Sequence, residues 1–437
     1  MSAPTGSPAP SFSEALRFWA KLGCINFGGP AGQIALMHKE LVERLRWIPE
    51  EEYLRALNFC MFLPGPEAQQ LATYVGWRLH GTRGAVAAGT LFVLPSVFVL
   101  LVLSWIAAAG GRTTVVLAVF YGISAVVLSI VAEAVLRIGR RALTHPALLA
   151  FSAAAFVAIR FLGTPFPVVI GLAAALGAAA GAVRPELFRA RASSAAPAGP
   201  PADPSPRGEV PPASRAARFA AVFLALWIAP LAAVLFLRGR QDVLTRLYLF
   251  FTQAAFLTFG GAYAVLSYIS EAAVHRFGWL DAGEMVRGLG LAETTPGPLI
   301  MVTQYVGFLA GWKSGAGLPP LLSGTAGALV TTWVTFLPSI FFILIGAPYV
   351  EVLSRSRRIR HALAGITAAV VGVIANLALF FAGHVLLPSP GRPDFFALAL
   401  AVAAFVAIAR FKVPVQYLVL AAGLVGVAWK LGIAASG

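Results

Sequence analysis

Charge is scarce in this chain of 437 residues. Asp, Glu, Lys and Arg make up 12% of it, against 59% apolar residues and a mean hydropathy of +0.81. A soluble domain carries about 25% charged residues. A soluble fold of this length would need several cores, and the charged surface to cover them is missing. Cysteine is nearly absent as well. Cys24 and Cys60 are the two, both at apolar positions, where packing is expected and not a disulfide framework. The N-terminus lacks a basic segment ahead of an apolar stretch, so no cleavable signal peptide is expected. There is no nucleotide loop, zinc spacing or nucleophilic triad. His38, His80, His145, His275, His361 and His384 are scattered without metal spacing. No cofactor, no metal site and no enzymatic chemistry is expected.

Long apolar runs are present instead, at 91–109, 115–135, 219–237, 326–350 and 395–409. Several match or approach the ~20 residues that a bilayer-spanning helix needs. The sequence predicts an all-α polytopic membrane protein, embedded in a lipid bilayer. The net charge of +15 does not point to nucleic acid, because the basic residues sit in short loops between apolar runs, as orientation signals do.

The chain repeats itself. Phe27-Gly28-Gly29 returns as Phe259-Gly260-Gly261, Trp47 as Trp279, Glu52 as Glu284 and Pro64-Gly65-Pro66 as Pro296-Gly297-Pro298, at a constant offset of 232 residues (259 minus 27). Tyr74-Val75-Gly76 returns as Tyr305-Val306-Gly307, and Leu94-Pro95-Ser96 as Leu337-Pro338-Ser339. Two copies of a Gly/Pro-interrupted apolar pattern are the signature of a transporter built from structural repeats. A Pro/Ala/Ser/Arg-rich stretch, 185–217, separates them and reads as a disordered tether. Its arginines place it in the cytoplasm. The domains are then 1–184 and 218–437, with an extra helix at 219–237.

Loop charges orient the copies. The helix with Leu94-Pro95-Ser96 ends at Gly110-Gly111 with one Arg112, and the basic cluster Arg137, Arg140, Arg141 comes one helix later. The helix with Leu337-Pro338-Ser339 runs straight into Arg355, Arg357, Arg358 and Arg360. Equivalent helices thus end on opposite sides, which makes the repeats inverted. The weaker cluster Arg238, Arg240, Arg246, against Asp242, runs counter to this reading. About 12 or 13 membrane helices are expected, some broken or re-entrant.

The breaks carry the chemistry. Pro and Gly free backbone groups that hydrocarbon cannot satisfy, so such breaks survive only inside protein or beside a wet cavity. Pro66 and Pro298 suit the first position of new half-helices, whose N–H groups and positive dipole ends favour an anion. Gly28, Gly29, Gly260 and Gly261 allow a further break or a close backbone approach. Shaping of helix packing is the competing reading of all these motifs. Gln69, Gln70, Thr294, Thr295 and Gln304 offer neutral hydrogen bonds to an oxyanion, and Asn26 and Asn58 are weaker candidates.

Ionisable residues inside membrane segments are functional candidates by default. Arg17 and Lys21 share one helix face; their counterparts are Leu249 and Gln253. Arg78 corresponds to Leu309. Glu67, in the first turn after Pro66, corresponds to Leu299, and Glu293 corresponds to Met61. Arg17, Glu67, Arg78 and Glu293 are candidates for coupling, the two acids as proton carriers. Snorkelling from a helix end, or a hydrogen bond to freed backbone, is the alternative for each. Trp47-Ile48-Pro49 and Phe277-Gly278-Trp279 read as structural ends of interfacial segments, with tryptophan at headgroup level.

At this point the sequence resembles a known family. Residues 27–81, with PGPEAQQLATYVGW, are similar to the N-terminal signature of the chromate ion transporter family, and 258–298 to its C-terminal counterpart. The resemblance implies the long, two-domain form and a prokaryotic inner-membrane protein that exports chromate and confers resistance to it. Proton-gradient or anion-exchange coupling is implied in the same way. The matching motif residues are Phe27, Gly28, Gly29, Pro64, Gly65, Pro66, Gln69, Gln70, Phe259, Gly260, Gly261, Pro296, Gly297 and Pro298. The expectation is a tetrahedral oxyanion held between the two Pro-Gly-Pro tips, with Lys21 nearby, and one repeat rocking against the other. Sulfate or another oxyanion, or an anion channel, is the alternative. Assembly as a homodimer stays open.

Overall fold

The computed structural model describes residues 10–110, 113–184, 186, 213–259, 261–315, 317–347, 356–388 and 392–436. Among them are sixteen α-helices and no strand. In the first half these are α1 (Phe12–Ile25), α2 (Gly29–His38), α3 (Glu50–Cys60), α4 (Glu67–Gly110), α5 (Thr114–Ala142), α6 (Pro146–Arg160) and α7 (Phe166–Val183). After α8 (Ala213–Arg238) come α9 (Val243–Phe256), α10 (Ala262–Glu271), α11 (Ala282–Thr294), α12 (Val302–Ser314), α13 (Pro320–Gly346), α14 (Arg357–Leu386), α15 (Phe395–Ala409) and α16 (Val415–Ser436). Seven of them are long and apolar enough to cross a membrane, so this is a multi-pass membrane protein. The last five residues expected in the tether, 213–217, belong to α8, whose Ala-rich start favours helix. Apart from Glu186, the rest of the tether lies outside the described residues, as does Gly260.

The repeated motifs build short helices. α1, with 14 residues, is about 21 Å long, too short for a hydrocarbon core of about 30 Å. α3, with 11 residues, is shorter still. α4 is two limbs, since His80 and Gly81 leave helical geometry. Arg78, near the end of the first limb, pairs with Glu52 in the first turn of α3. The chain therefore enters along α3, turns at Pro64-Gly65-Pro66 and returns along the first limb of α4. α1 and α2 make a similar hairpin around Phe27-Gly28-Gly29, with Phe18 of α1 edge-on to Trp47 beyond α2 at 5.0 Å. The second half repeats both. Glu284 at the start of α11 pairs with Lys313 near the end of α12, which closes the hairpin around Pro296-Gly297-Pro298.

Detail repeats too. Both α2 and α10 run on into a turn of π-helix, at Lys39–Arg44 and Ala272–Arg276. Trp279 is buried, stacked on Phe277 at a centroid distance of 4.3 Å, because the hairpin base folds back over it.

The halves interlock. α5 packs against α15 and α16 of the second half, and α14 packs against α6 and α7 of the first. Gly122 of α5 lies against Ala422, and Gly365 of α14 against Ala173, so the same close approach occurs twice. A large hydrophobic core runs through both halves, and a smaller cluster joins Phe219 of α8 to Ala85, Leu337, Phe341 and Leu344. α8 lies at the edge: Trp227, Leu231 and Val234 pack inward, and Leu224, Ile228 and Phe236 face outward, as suits a helix with lipid on one side.

Candidate functional site

The four hairpin tips meet, each touching the other repeat. The N–H of Gly65 donates to Thr258 O at 2.9 Å, beside Phe259 of the second repeat. The N–H of Gly297 donates to Asn26 O at 3.3 Å, beside Phe27 of the first. Asn26 and Thr258 are equivalent positions, so one contact is made twice. Gly65 and Gly297 have φ of +127° and +114°, where glycine alone is unstrained. A Cβ on Gly65 would collide with Ser339 Oγ, and one on Gly297 with Ser96 Oγ. Ser96 Oγ donates to Pro296 O. Ser96 of the repeated Leu-Pro-Ser motif thus holds the opposite repeat's tip, and its counterpart Ser339 lies against the other tip at Gly65.

Around this junction lie buried amides. Asn26 Nδ2 donates to Phe92 O at 3.1 Å. Gln33 Nε2 donates to Asn26 O at 2.9 Å and to Gly297 O at 2.5 Å. Gln70 Nε2 donates to Pro64 O at 2.7 Å, Gln69 Nε2 to Gly89 O at 3.4 Å and Gln304 Nε2 to Val97 O at 2.8 Å. Asn26 O, Pro64 O and Gly297 O lie at the breaks and gain partners in this way, whereas Phe92 O, Gly89 O and Val97 O lie within the second limb of α4. The side-chain oxygens of Asn26, Gln33, Gln69 and Gln70, and Glu67 Oε2, are buried without a partner. Such groups call for water or a ligand. Thr294 and Thr295 bond back into their own helix, at Gly290 O and Ala292 O.

Pro66 precedes the first residue of α4, and Pro298 precedes a single 3-10 turn, Leu299–Met301, that leads into α12. The first turn of each leaves N–H groups without helical partners. Glu67 occupies that end of α4, and Gly261 of the other repeat lies close to its Oε1. Leu299 leaves the α12 end uncharged.

The charged candidates divide. Arg17 and Lys21 are exposed on one face of α1 together with Cys24, and the junction does not enclose them. Arg78 sits at the hairpin base with Glu52. Asn58 is exposed on α3. Glu293 is buried and accepts a hydrogen bond from Tyr263 at 2.7 Å.

The two repeats differ in burial at equivalent positions. Asn58 and Met61 of α3 are exposed, Met61 by 56%, whereas their counterparts Gly290 and Glu293 are buried. Ala31 of α2 is exposed, and its counterpart Tyr263 is buried. α10 packs on α14, and α11 on α5, α14 and α16; α2 and α3 pack mainly on α4. The first repeat's side of the junction is exposed and the second repeat's side is buried.

Residues 13–178 and 245–427 match the model of the chromate transporter family. The chain belongs to the chromate transporter family. It is 30% identical over 429 residues to a chromate transport protein of Pseudomonas aeruginosa, covering 96% of this chain and 92% of the relative. It is 28% identical over 386 residues to a chromate transport protein of Cupriavidus metallidurans, covering 88% and 86%. It is 28% identical over 371 residues to a probable chromate transport protein of Synechococcus elongatus, covering 84% of each. No solved structure matches the chain. Both matched stretches of this transporter family contain a full Phe-Gly-Gly to Pro-Gly-Pro segment.

Gln33, Ser96, Ser339, Thr258 and Tyr263 were not among the residues singled out from the sequence. The two serines had a signal, since their motif is repeated. Gln33 had none, because its counterpart is Val265 and only the fold brings it to Gly297.

Proposed function

We propose that the chain exports chromate, or a tetrahedral oxyanion of the same charge and shape, across a prokaryotic inner membrane by alternating access, and so confers resistance. The observation that carries this reading is the tip-to-tip junction. Four half-helices from two copies of one motif converge there, with Gly65 and Gly297 admitting no side chain. Free N–H groups at the starts of α4 and α12, together with the second amide N–H of Gln69, Gln70, Asn26 and Gln304 and the hydroxyls of Thr294 and Thr295 once turned from their own helix, replace hydration around the anion. Arg17 and Lys21 raise its local concentration along the open face of α1.

The repeats are read as inverted. The hairpins of the first repeat start and end on the face where His80 meets the Pro10 carbonyl. The second limb of α4 and then α5 cross, and the shorter apolar helix α6, with 15 residues, leads on to Arg160. Arg160 and the Arg276 end of the second repeat's hairpin line one cavity of about 810 Å³. The basic loops of α5 and α14 lie on the first face, which makes it cytoplasmic. Because α5 to α7 and α14 to α16 interlock, the moving bodies cut across the repeats: α1–α4 with α9–α13, against α5–α7 with α14–α16. The openness of α2 and α3 makes this the state open to the cytoplasm.

The test is uptake of labelled chromate by inverted membrane vesicles containing the protein. Saturable uptake that sulfate competes away supports an oxyanion carrier. Absence of uptake of either anion overturns the reading.

A further inference from the structure

The cavity of about 810 Å³ takes no lining residue from the Pro-Gly-Pro or Phe-Gly-Gly tips. Its basic side chains come from three places. The end of α6 supplies Arg160, the π-turn after α10 supplies His275 and Arg276, and the end of α14 supplies His384. Glu271 is the one carboxylate among the described residues that line it. Two arginines against one acid leave a net positive charge before either histidine takes up a proton. Neither arginine is in an ion pair among the described residues. For Arg276 the repeat shows why. Its counterpart Arg44 pairs with Glu40, four residues earlier. The residue four before Arg276 is Ala272, so the second copy keeps the cation and lacks the acid. Ser270 also lines the cavity; it is 2% exposed, and its Oγ is buried without a partner. A buried hydroxyl in that condition calls for water or a ligand.

The remaining walls select the ligand. Ile159, Phe166, Leu377 and Phe380 are apolar. An inorganic dianion loses hydration against such walls and gains nothing, whereas an acyl chain buries its surface there favourably. The mouth is placed to meet lipid. α6, with 15 residues, is about 22 Å long, less than a hydrocarbon core of about 30 Å. In the orientation proposed above, the α6–α7 turn therefore reaches the outer leaflet without clearing it. Phe161 and Leu162 of that turn, next to Arg160, are 72% and 73% exposed. Exposed apolar side chains beside an arginine suit acyl chains on one side and phosphates on the other.

We propose that this cavity binds an anionic phospholipid of the outer leaflet, its phosphate held by Arg160 and Arg276 and an acyl chain along Phe166 and Phe380, and that the lipid holds the second repeat's side shut. Arg160, Phe166 and Phe380 belong to one of the two moving bodies and Arg276 to the other. The walls meet because α10 packs on α14. In the first repeat α2 packs mainly on α4, and the corresponding walls are not brought together. A ligand that fits only the assembled cavity shifts the population toward the state in which the cavity is assembled. The lipid site stands on the cavity; its effect on transport rests on the oxyanion-carrier reading above.

The experiment uses the full chain purified in detergent and follows its unfolding midpoint against added phosphatidylglycerol, phosphatidylcholine or inorganic phosphate. Phosphatidylglycerol is expected to raise the midpoint saturably, and phosphatidylcholine is not. Arg160→Gln combined with Arg276→Gln should keep the lipid-free midpoint and lose the rise. Glu271→Gln, which removes the opposing charge, should reach the half-maximal rise at several-fold less lipid. An equal rise with phosphatidylcholine overturns headgroup recognition. A rise with inorganic phosphate that the double variant loses gives the site to a free oxyanion and overturns the lipid. A phosphatidylglycerol rise that survives in the double variant overturns the location. If the double variant does not fold, Glu271→Gln decides, and an unchanged lipid dependence there overturns the proposal.

The second arm is exchange of labelled chromate in liposomes. With phosphatidylglycerol present, the double variant should run several-fold faster than wild type; in phosphatidylcholine alone it should not. Loss of two cations would by itself slow an anion, so acceleration marks release of the closed side. Equal rates in phosphatidylglycerol overturn the effect on alternation. A wild type that binds phosphatidylglycerol but moves no chromate overturns the carrier reading and supports the lipid site.

Discussion

Gly65 of the first repeat donates its backbone N–H to Thr258 O of the second, and Gly297 returns the contact to Asn26 O. Each Pro-Gly-Pro tip is therefore fixed by the Phe-Gly-Gly break of the other copy. Neither repeat completes its own site.

Gly65→Ala and Gly297→Ala should be severe. Each forces an L-residue into positive φ, a strain of about 1–3 kcal/mol, and pushes a methyl into a serine of the other repeat. Thermal unfolding in detergent should shift down for both, and vesicle chromate uptake should fall in parallel. Adding Ser339→Ala to Gly65→Ala should restore part of the loss, because it removes the atom the new methyl strikes. Absence of that rescue would mean that backbone strain and the clash with Gln70 Nε2 are responsible.

Arg78→Ala should matter little. A half-exposed pair with Glu52 contributes about 0.2–1 kcal/mol. Uptake should stay near wild type, and the melting shift should vanish in a Glu52→Ala background. A large loss of transport with no loss of stability would return Arg78 to the coupling machinery.

The two cysteines report the open side. Cys24 is exposed and Cys60 is buried. A membrane-impermeant maleimide added to inverted vesicles should label Cys24 and spare Cys60. Asn58→Cys should label like Cys24, whereas cysteine at its counterpart, Gly290→Cys, should not. Equal labelling of the two engineered positions would remove the asymmetry on which the open-state assignment rests.

Lys21→Gln, which installs the residue of the second repeat, should raise KM for chromate at low salt by roughly tenfold and leave the maximal rate alone, as expected of electrostatic steering. Added salt should erase the difference between variant and wild type. A fall in maximal rate would instead make Lys21 a contact of the bound anion.

Much of this architecture was legible in the sequence, and for identifiable reasons. Pro64-Gly65-Pro66 and Pro296-Gly297-Pro298 mark breaks whatever surrounds them, because proline lacks an N–H and glycine tolerates positive φ. Low charge and long apolar runs revealed the membrane class. Side-chain pairings were not legible. That Arg78 belongs to Glu52, that Gln33 reaches Gly297, and that α5 and α14 cross into the opposite half all depend on contacts distant in the chain. Hydrophobic periodicity cannot name a helix's neighbour. Glu293 was visible as an acid in an apolar segment, but its partner Tyr263 comes from another helix.

The most direct test of the central claim replaces the prolines that open the half-helices. Pro66→Leu and Pro298→Leu restore an ordinary side chain and an N–H at each tip. Chromate uptake by inverted vesicles is measured with the variant present in the membrane at the wild-type amount. The tip-junction account predicts that each variant loses most of its uptake while remaining membrane-inserted. Normal uptake in both would contradict it and leave the breaks with a packing role alone.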